Sequence, residues 1–386
     1  MTATQAAQAA QAASRAAAAA PPARRHHATS HPLRVAAVER LTDDAVSVTF
    51  EVPPELAGDY RFLPGQHVSV RAPQLGDDVR RSYSLCAPAT TGPLRIGVKR
   101  IPGGAFSSYA AERLRPGDVV DVMTPTGSFS TPLDPAQAKR YAALAAGSGI
   151  TPVLSILATA LEVEPGSTAV LVYANRSTAS AMFLDELEDL KDRYPDRFEL
   201  VHVLSGEAHD IELLSGRLDA ERLGRLLDVL VPPEDVDEWF LCGPLPLVET
   251  AREVLLDRGV DVSQVHRELF HVDAPPAAAA RRRLAAEQEA SAHGGSTVTV
   301  VLDGRSQTLV LPRDGASVLD ATLRVRADAP YACKNAVCGT CRAKVVEGEV
   351  EMDADYALEP SEVAAGFVLT CQAHPVSERV VLDFDQ

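Results

Sequence analysis

Short alternating hydrophobic runs dominate the chain from about Leu33 to Met123, separated by turns rich in Pro and Gly. The clearest runs are VSVTFEV (46–52), HVSV (67–70) and LRIGVK (94–99). Alternation with a period of two is typical of strands that are buried on one face, and several short strands at this spacing favour a closed sheet. The pattern therefore predicts a small antiparallel β-barrel in the first third of the chain.

Longer uninterrupted apolar runs replace this alternation from about Ala136 to Val272. They are YAALAAG (141–147), AVLVYA (169–174), FELVHVL (198–204) and EWFLCGP (238–244). Runs of this kind suit strands that are buried on both faces, and helical stretches such as MFLDELEDLKDRY (182–194) and LVETAREVLLDRG (247–259) lie between them. The alternation of strands and helices predicts βαβ units and a parallel sheet.

The remaining segments complete a five-part organisation. An Ala-rich stretch with no acidic residue precedes the barrel, and we interpret it as a disordered tail, although it faintly resembles an organellar transit peptide. Residues 273–296 combine a Pro pair, an Ala/Arg/Glu stretch and a Gly pair, as interdomain linkers do. Beyond them, a hairpin through Asp303-Gly304 and a short helix near 317–326 are predicted. The expected parts are the tail 1–30, the barrel 31–135, the α/β domain 136–272, the linker 273–296 and a C-terminal domain 297–386.

Composition restricts the classes of partner. The chain has 386 residues, 46% hydrophobic side chains and a formal net charge of −16. Such a charge disfavours unaided binding to nucleic acid or to an anionic membrane and permits a basic protein partner. The uncharged stretch 141–161 is long enough to span a bilayer, but Gly147, Ser148, Gly149, Thr151 and Pro152 at its centre favour a strand, a turn and a buried helix. We expect a soluble protein.

Four of the six cysteines crowd the last 54 residues of the chain. They follow the spacing Cys333-x4-Cys338-x2-Cys341, with Cys371 further on. Plant-type [2Fe-2S] proteins use this spacing, whereas a four-cysteine zinc site usually shows two CxxC pairs. The sequence therefore predicts a [2Fe-2S] cluster, with zinc as the alternative, in a reducing compartment such as the cytoplasm.

Two segments have the features of phosphate and cofactor sites. The first is Arg81-Ser82-Tyr83-Ser84, which is a weak motif by itself. A downstream segment supports it, because glycines and a hydroxyl there precede and begin a predicted helix. That segment contributes Lys99, Gly103, Gly104, Ala105 and Ser107. The second is a glycine turn directly after a strand, with Gly147, Gly149, Thr151 and Pro152. Both place helix N-terminal amides where a phosphate can accept hydrogen bonds.

Taken together, these motifs resemble the ferredoxin reductase family of flavoproteins. The resemblance implies an antiparallel FAD-binding barrel, a Rossmann-like NAD(P)-binding sheet and a plant-type β-grasp ferredoxin domain. It also implies that Arg81 pairs with the flavin phosphate, Tyr83 packs on the isoalloxazine and Ser84 reaches flavin N5, with Gly104 and Ser107 at the pyrophosphate. In this family hydride transfer needs placement of the two cofactors rather than a general acid or base.

Further assignments follow from the same resemblance. Cys242-Gly243-Pro244 matches the family's CGP turn, where the cysteine lies near nicotinamide C4; a buried structural thiol is the alternative. Asn175, Arg176 and Ser177 follow the strand that presents the adenosine ribose, and an Arg with a hydroxyl there favours NADPH over NADH. Phe270 is expected either near the flavin edge or in core packing.

The order of flavin, nicotinamide and C-terminal iron-sulfur motifs narrows the resemblance to one-chain oxygenase reductases. PYACKNAVCGTCRAKVVEGEV (330–350) and YALEPSEVAAGFVLTCQAHP (356–375) are similar to the reductase subunits of phenylacetyl-CoA epoxidases. The resemblance implies transfer from NADPH through FAD and [2Fe-2S] to the oxygenase component of a multicomponent di-iron epoxidase. The alternatives are the reductase of a Rieske aromatic-ring or steroid hydroxylase and, in another class, a zinc-binding interaction protein with degenerate cofactor sites.

Overall fold

The structure is a computed structural model that describes residues 28–76, 79–207, 211–270, 295–312 and 315–386. The predicted tail 1–30 and linker 273–296 lie almost entirely outside these described residues. The first and third sheets begin at Ser30 and Ser296, close to where the sequence predicts that the barrel and the C-terminal domain start.

An antiparallel sheet of six strands forms the first unit, and its residues alternate as the pattern requires. Its order is β4-β3-β6-β1-β2-β5, and a bridge from Leu85 to Ile96 joins the two outer strands into a barrel. One helix, α1 (Ala105–Glu112), packs against it. The strands are β1 (Ser30–Thr42), β2 (Ala45–Glu51), β3 (His67–Arg71), β4 (Arg80–Ser84), β5 (Arg95–Lys99) and β6 (Val119–Met123).

A parallel sheet of five strands follows, in the order β11-β10-β7-β8-β9. Apolar clusters cover both of its faces, which explains why its strands are continuously hydrophobic. The strands are β7 (Arg140–Ala146), β8 (Thr168–Asn175), β9 (Phe198–Leu204), β10 (Glu238–Cys242) and β11 (Val265–Glu268). The helices are α2 (Ile150–Val163), α3 (Leu184–Arg193), α4 (Ala220–Leu230) and α5 (Leu245–Asp257).

The C-terminal unit is a mixed five-stranded sheet of order β13-β12-β18-β14-β16 with a small ribbon of β15 and β17. Asp303 and Gly304 both have positive φ and make the predicted hairpin turn. The strands are β12 (Ser296–Leu302), β13 (Arg305–Leu311), β14 (Arg342–Glu347), β15 (Val350–Met352), β16 (Phe367–Leu369), β17 (Ala373–Pro375) and β18 (Arg379–Asp383). The helices are α6 (Val318–Leu323) and α7 (Pro360–Ala364).

These three sheets confirm the predicted fold class. The units share their cores at the junctions: Cys86 and Phe129 from the barrel pack into one cluster of the parallel sheet, and Val337 from the C-terminal unit packs into the other. Within the part of the chain described here, no helix combines the length and the hydrophobicity needed to cross a bilayer. Because the three units share these cores, the strand ends that carry the predicted motifs lie close to the junction between them.

Candidate functional site

Strand β4 carries the first predicted motif along its length. The Arg81 guanidinium is exposed and donates to the carbonyl of Arg80, and Ser82 contacts Ser69 on β3. The Tyr83 ring packs at 5.3 Å from Phe106, and burial raises the pKa of Tyr83. Ser84 ends the strand and is buried. The strand thus offers an exposed cation at one end and a buried hydroxyl at the other.

The glycines before α1 open the helix N-terminus. Gly103 has a φ of +73°, and Gly104 is the N-cap residue, with no side chain capping the first turn before Ala105. A Cβ on Gly104 would lie 2.4 Å from Ser107 Oγ. That hydroxyl accepts from the Ile101 amide at 3.1 Å and donates to the Gly104 carbonyl. Ser107 therefore orders the turn and leaves the first-turn amides available to an anion.

Lys99 lies near this turn, at the end of β5. Its ammonium is 3.4 Å from a carboxylate oxygen of Asp44. The partner belongs to the β1–β2 turn, so the lysine holds two parts of the barrel together in the structure as it stands. Its predicted contact with a cofactor stays a prediction.

The turn after β7 depends on two glycines for two different reasons. Gly147 has a φ of +55°, which glycine adopts at little cost. Gly149 has ordinary φ, but a Cβ there would lie 2.1 Å from the Cys242 carbonyl oxygen. Thr151 donates to the Ser148 carbonyl at 3.0 Å, and Pro152 occupies the first turn of α2, where no amide hydrogen is needed.

The CGP turn follows β10, the immediate neighbour of β7 in the sheet. Cys242 is buried, and burial together with the Glu268 charge raises the pKa of its thiol well above the ordinary value. Gly243 approaches Ala146, and Pro244 is the N-cap of α5. The carboxyl ends of β7 and β10 thus form the crevice in which parallel α/β sheets bind dinucleotides.

The turn after β8 carries the predicted ribose residues. Asn175 is buried, whereas Arg176 is exposed and forms no ion pair with any residue in the described ranges. The Ser177 amide donates to Ser180 Oγ, which tightens the turn. Glu207 lies nearby and accepts from both the amide and the hydroxyl of Thr178. The turn therefore offers one unpaired cation beside a carboxylate.

Glu268 is a site residue that the sequence reasoning missed. It ends β11, in register with Cys242, and its Oε2 accepts from Ser84 Oγ at 2.8 Å. Burial raises the pKa of Glu268 to about 8; the Ser84 hydrogen bond opposes this shift and the Cys338 charge adds to it. A carboxyl with this pKa holds or releases a proton near neutral pH. No sequence motif links Glu268 to Cys242 or Ser84, which become its neighbours through the register of β10 and β11 and the packing of the barrel.

Phe270, two residues further on, is the last described residue before the gap. It is 38% exposed. The side chain thus does not fill a core in the described structure, and its expected place near a flavin edge stays a prediction.

The loop between Cys333 and Cys341 curls around its sulfurs. Three of its residues, Lys334, Ala336 and Gly339, have positive φ, which turns backbone amides inward. The Asn335 amide donates to Cys333 Sγ at 3.3 Å. This cradle of amide donors suits negatively charged sulfurs.

The four thiols interact in two pairs, and all of them except the partly exposed Cys333 are buried. A hydrogen bond from Cys333 holds the pKa of Cys338 well below its usual range, and one from Cys341 lowers the pKa of Cys371. A Gln372 amide also lies 3.6 Å from Cys371 Sγ. Thiolates are the ligands of iron-sulfur clusters, so the donor set fits the predicted [2Fe-2S] group.

This loop faces the other two units rather than solvent alone. Thr340 Oγ1 lies 3.4 Å from Nε2 of His67 in the barrel, and the Arg80 guanidinium stacks over the Tyr331 ring at 4.4 Å. A cavity of about 530 Å³ lies at the junction. Its lining includes His67, Glu268, Cys338 and Thr340. Cys338 thus lies at the same cavity as Glu268, which accepts a hydrogen bond from Ser84 and pairs with Cys242 in the parallel sheet.

Comparisons with known proteins agree with this arrangement. Three family models match in chain order: an oxidoreductase FAD-binding domain at residues 32–131, an oxidoreductase NAD-binding domain at 143–253 and a 2Fe-2S iron-sulfur cluster binding domain at 300–376. One subunit of the 1,2-phenylacetyl-CoA epoxidase of Escherichia coli K12 is 45% identical over 92% of this chain and 98% of its own.

Two further similarities extend over more than nine-tenths of the chain. The ferredoxin reductase component of the 3-ketosteroid-9-alpha-monooxygenase of Rhodococcus rhodochrous is 35% identical over 93% of this chain and 98% of its own. The solved structure of phthalate dioxygenase reductase, described as a modular structure for electron transfer from pyridine nucleotides to [2Fe-2S], is 25% identical. It has a TM-score of 0.55 and covers 92% of this chain and 98% of its own.

Proposed function

Because this chain belongs to the family of flavin- and [2Fe-2S]-containing oxygenase reductases, we propose that it carries electrons from NADPH through FAD and the cluster to a di-iron phenylacetyl-CoA epoxidase. Bound flavin accepts a hydride from pyridine nucleotide and releases its electrons singly, and a [2Fe-2S] cluster carries one electron at a time. The epoxidation itself belongs to a different polypeptide in this proposal.

One observation carries the electron route. The Glu268 carboxyl accepts a hydrogen bond from Ser84, and its charge raises the pKa of Cys242. The charge of Cys338 in turn raises the pKa of Glu268. The motifs attributed to flavin, nicotinamide and cluster thus meet around a single side chain, although they lie far apart in sequence. Such convergence supports direct transfer between three bound groups.

The chain's own residues contribute placement in this proposal. The open N-termini of α1 and α2 bind the pyrophosphates, Tyr83 and Ser84 orient the flavin, and the CGP turn directs the nicotinamide towards it. Glu268 and Ser84 hold a proton at the end of β4, beside the reacting atoms.

The choice of NADPH depends on Arg176. Its guanidinium is exposed and unpaired within the described residues, as a 2′-phosphate site requires. Glu207 is the opposing feature, because a carboxylate beside the same turn repels a phosphate. We give Arg176 the greater weight because it forms no ion pair within the described residues, whereas Glu207 already accepts two hydrogen bonds from Thr178.

The choice of the epoxidase over other oxygenases depends on similarity alone. Identity is 45% to the epoxidase subunit and 35% to the steroid monooxygenase component, at the same coverage of the relatives. Steroid or Rieske hydroxylases therefore remain the second candidate. The match of residues 300–376 to a 2Fe-2S domain removes the support for a zinc-binding interaction protein. We place the protein in the cytoplasm because a [2Fe-2S] site built from four cysteine thiolates suits a reducing compartment.

Reconstitution with purified oxygenases tests the proposal. NADPH consumption by this protein should couple to product formation with the di-iron epoxidase and should not couple with a 3-ketosteroid hydroxylase. Coupling to the hydroxylase alone would reject the proposed partner while leaving the electron route intact. A purified protein that lacks flavin and iron would reject the route itself.

A further inference from the structure

Arg80 is a half-buried cation that neither the predicted motifs nor the proposed electron route accounts for. It is the first residue of β4 and pairs with Arg71 across the β3–β4 ladder. Arg71 has a carboxylate partner, since its Nη2 lies 2.6 Å from Asp121 Oδ2. Arg80 instead forms no ion pair within the described residues, and its buried Nε has no hydrogen-bond partner there. A buried donor without a partner is uncommon, so another interaction must hold this guanidinium in place.

An aromatic ring of the C-terminal unit supplies that interaction. The Arg80 Cζ lies over the Tyr331 ring, 4.4 Å from its centroid, and Tyr331 is only 5% exposed. The face of an aromatic ring carries partial negative charge and attracts a cation at this distance, more strongly where water is excluded. The planar guanidinium group also stacks well on such rings. The C-terminal unit thus compensates a charge for which the barrel provides no carboxylate.

Tyr331 belongs to the segment that leads into the loop of the predicted cluster ligands. It lies two residues before Cys333 and packs in the hydrophobic core of the C-terminal unit. Inside the loop, the Nζ of Lys334 lies 4.9 Å from the centroid of the same ring and 3.0 Å from Asp320 Oδ1 on α6. One ring therefore contacts a cation of the loop and a cation of the barrel.

Strand β4 connects this contact to the predicted flavin site. Successive side chains of a strand point to opposite faces, so Arg80 shares one face with Ser84, whereas Tyr83 lies on the other. At its far end the strand contacts the parallel sheet, through the hydrogen bond from Ser84 to Glu268. The strand that carries the predicted flavin residues thus holds one contact to each of the other two units.

We propose that Arg80 is an interdomain positioning residue, which by stacking on Tyr331 holds the loop of the predicted cluster ligands at a fixed distance from the predicted flavin site on β4. Arg80 adds no chemical step, because it acts only through the placement of the loop. The consequence for electron transfer rests on the proposed function. The docking of the two units depends on neither the nucleotide nor the oxygenase.

Hydrogen–deuterium exchange of the full-length protein with flavin and cluster bound tests the docking. Protected amides at the contact exchange when the two units separate, so their exchange rate reports the population of the separated state. We expect Arg80→Ala to speed exchange in residues 331–341 about tenfold, which corresponds to roughly 1.4 kcal/mol of docking free energy. Tyr331→Leu should produce the same increase, and the double variant should add little to either, because both changes remove one contact.

Two control variants separate this contact from general effects of the substitutions. Arg113→Ala removes an arginine–tyrosine contact inside the barrel, where Arg113 Cζ lies 5.1 Å from the Tyr109 ring centroid, and should leave exchange in 331–341 unchanged. Tyr331→Phe keeps the ring, so the tenfold effect of Arg80→Ala should persist in that background.

Wild-type exchange in Arg80→Ala, or additive increases in the double variant, would overturn the inference. If Arg80→Ala does not fold, Arg80→Gln carries the same test, because it keeps most of the side-chain length and removes the charge. Wild-type exchange in that variant would overturn the inference equally.

Electron transfer inside the protein tests the consequence of the docking. After laser-flash reduction of the bound flavin, transfer of one electron to the cluster should be roughly tenfold slower in Arg80→Ala, since small displacements of reacting groups cost large factors in rate. Flavin reduction by NADPH should keep the wild-type rate, because the crevice between β7 and β10 is unchanged. Faster exchange with an unchanged rate of transfer to the cluster would overturn the positioning role.

The outcomes distinguish this inference from the proposed function. Failure of the proposed function would appear as missing coupling to the epoxidase while Arg80→Ala still exchanges faster than the wild type. Failure of this inference would appear as wild-type exchange in an Arg80→Ala protein that still couples.

Discussion

The junction contains two regions with opposite chemistry, the pocket around Ser84, Cys242 and Glu268 and the loop from Cys333 to Cys341. Neutral protonated groups fill the pocket, since burial raises the pKa values of both Cys242 and Glu268. In the loop the thiols of Cys333 and Cys341 keep raised pKa values and lower those of their partners Cys338 and Cys371 by hydrogen bonding. Hydride transfer needs placement of the two cofactors, whereas single-electron transfer needs stabilised anionic ligands. The two regions are therefore separable by substitution.

Removal of one cluster ligand should abolish electron transfer through the loop and leave the reaction at the pocket unchanged. We expect Cys338→Ser to reduce electron delivery to the oxygenase to background, because the cluster loses a ligand, while NADPH oxidation with artificial two-electron acceptors stays near the wild-type rate. Stopped-flow absorbance and EPR measure the two steps. Cys86→Ser is the matched control, since Cys86 is a buried thiol of the barrel remote from the loop. Retained delivery by Cys338→Ser would contradict the cluster assignment.

A side chain placed in the crevice between β7 and β10 should impair the pocket and leave the cluster loop unchanged. Gly149→Ala places a Cβ against the Cys242 carbonyl, and overpacking of this kind costs about 1–3 kcal/mol. We expect flavin reduction by NADPH to slow roughly tenfold to a hundredfold, with the cluster spectrum unchanged. Gly58→Ala serves as the control, because nothing lies within 4 Å of a Cβ there. A normal rate in Gly149→Ala would show that nucleotide does not use this crevice.

The preference for NADPH over NADH tests whether Arg176 binds the 2′-phosphate. Arg176→Ala should raise the KM for NADPH about tenfold and leave that for NADH nearly unchanged, since a charge-assisted hydrogen bond at an exposed site contributes about 1.5 kcal/mol. Steady-state kinetics with both nucleotides measure this. Arg193→Ala, on an exposed face of α3, controls for loss of surface charge. Equal losses for both nucleotides would refute the assignment of the 2′-phosphate site.

The last prediction concerns stability and pH. Because the folded pKa of Glu268 is raised to about 8 from 4.5, the folded state binds more protons than the unfolded state between these values. Stability from this group is therefore present at low pH and decreases as the pH rises towards 8. Glu268→Gln should gain Tm relative to wild type between pH 5 and pH 8.5. Scanning calorimetry of both proteins across this range measures the difference in Tm. A difference that does not change with pH would contradict the raised pKa of Glu268.

Several parts of the fold were predictable because their signals are local. The hairpin at Asp303-Gly304, the strand, turn and helix of 141–161 and the short helix after Ser317 all occur where the sequence predicts them. Each depends on residues that are neighbours in the chain, through positive φ, capping or periodic burial. The cluster loop is of the same kind, since three of its cysteines lie within nine residues.

Glu268 and His67 were missed for the opposite reason. Ser84 and Glu268 are 184 residues apart, and His67 and Thr340 are 273 residues apart. No periodicity or motif links such positions. A lone Glu at a strand end and a lone His at a strand start are ordinary residues until packing removes them from water and supplies their partners.

The sequence by itself determined the three sheets, the order of the cofactor motifs and the ligand loop, because each is specified by short-range backbone and burial preferences. Only the tertiary structure decided which groups share the junction. Its packing raises the pKa of Glu268, lowers that of His67 and brings both to the same cavity as Cys338. Desolvation and partner choice are properties of the packed interior, where strand register and the meeting of separate units set distances that the linear chain does not contain.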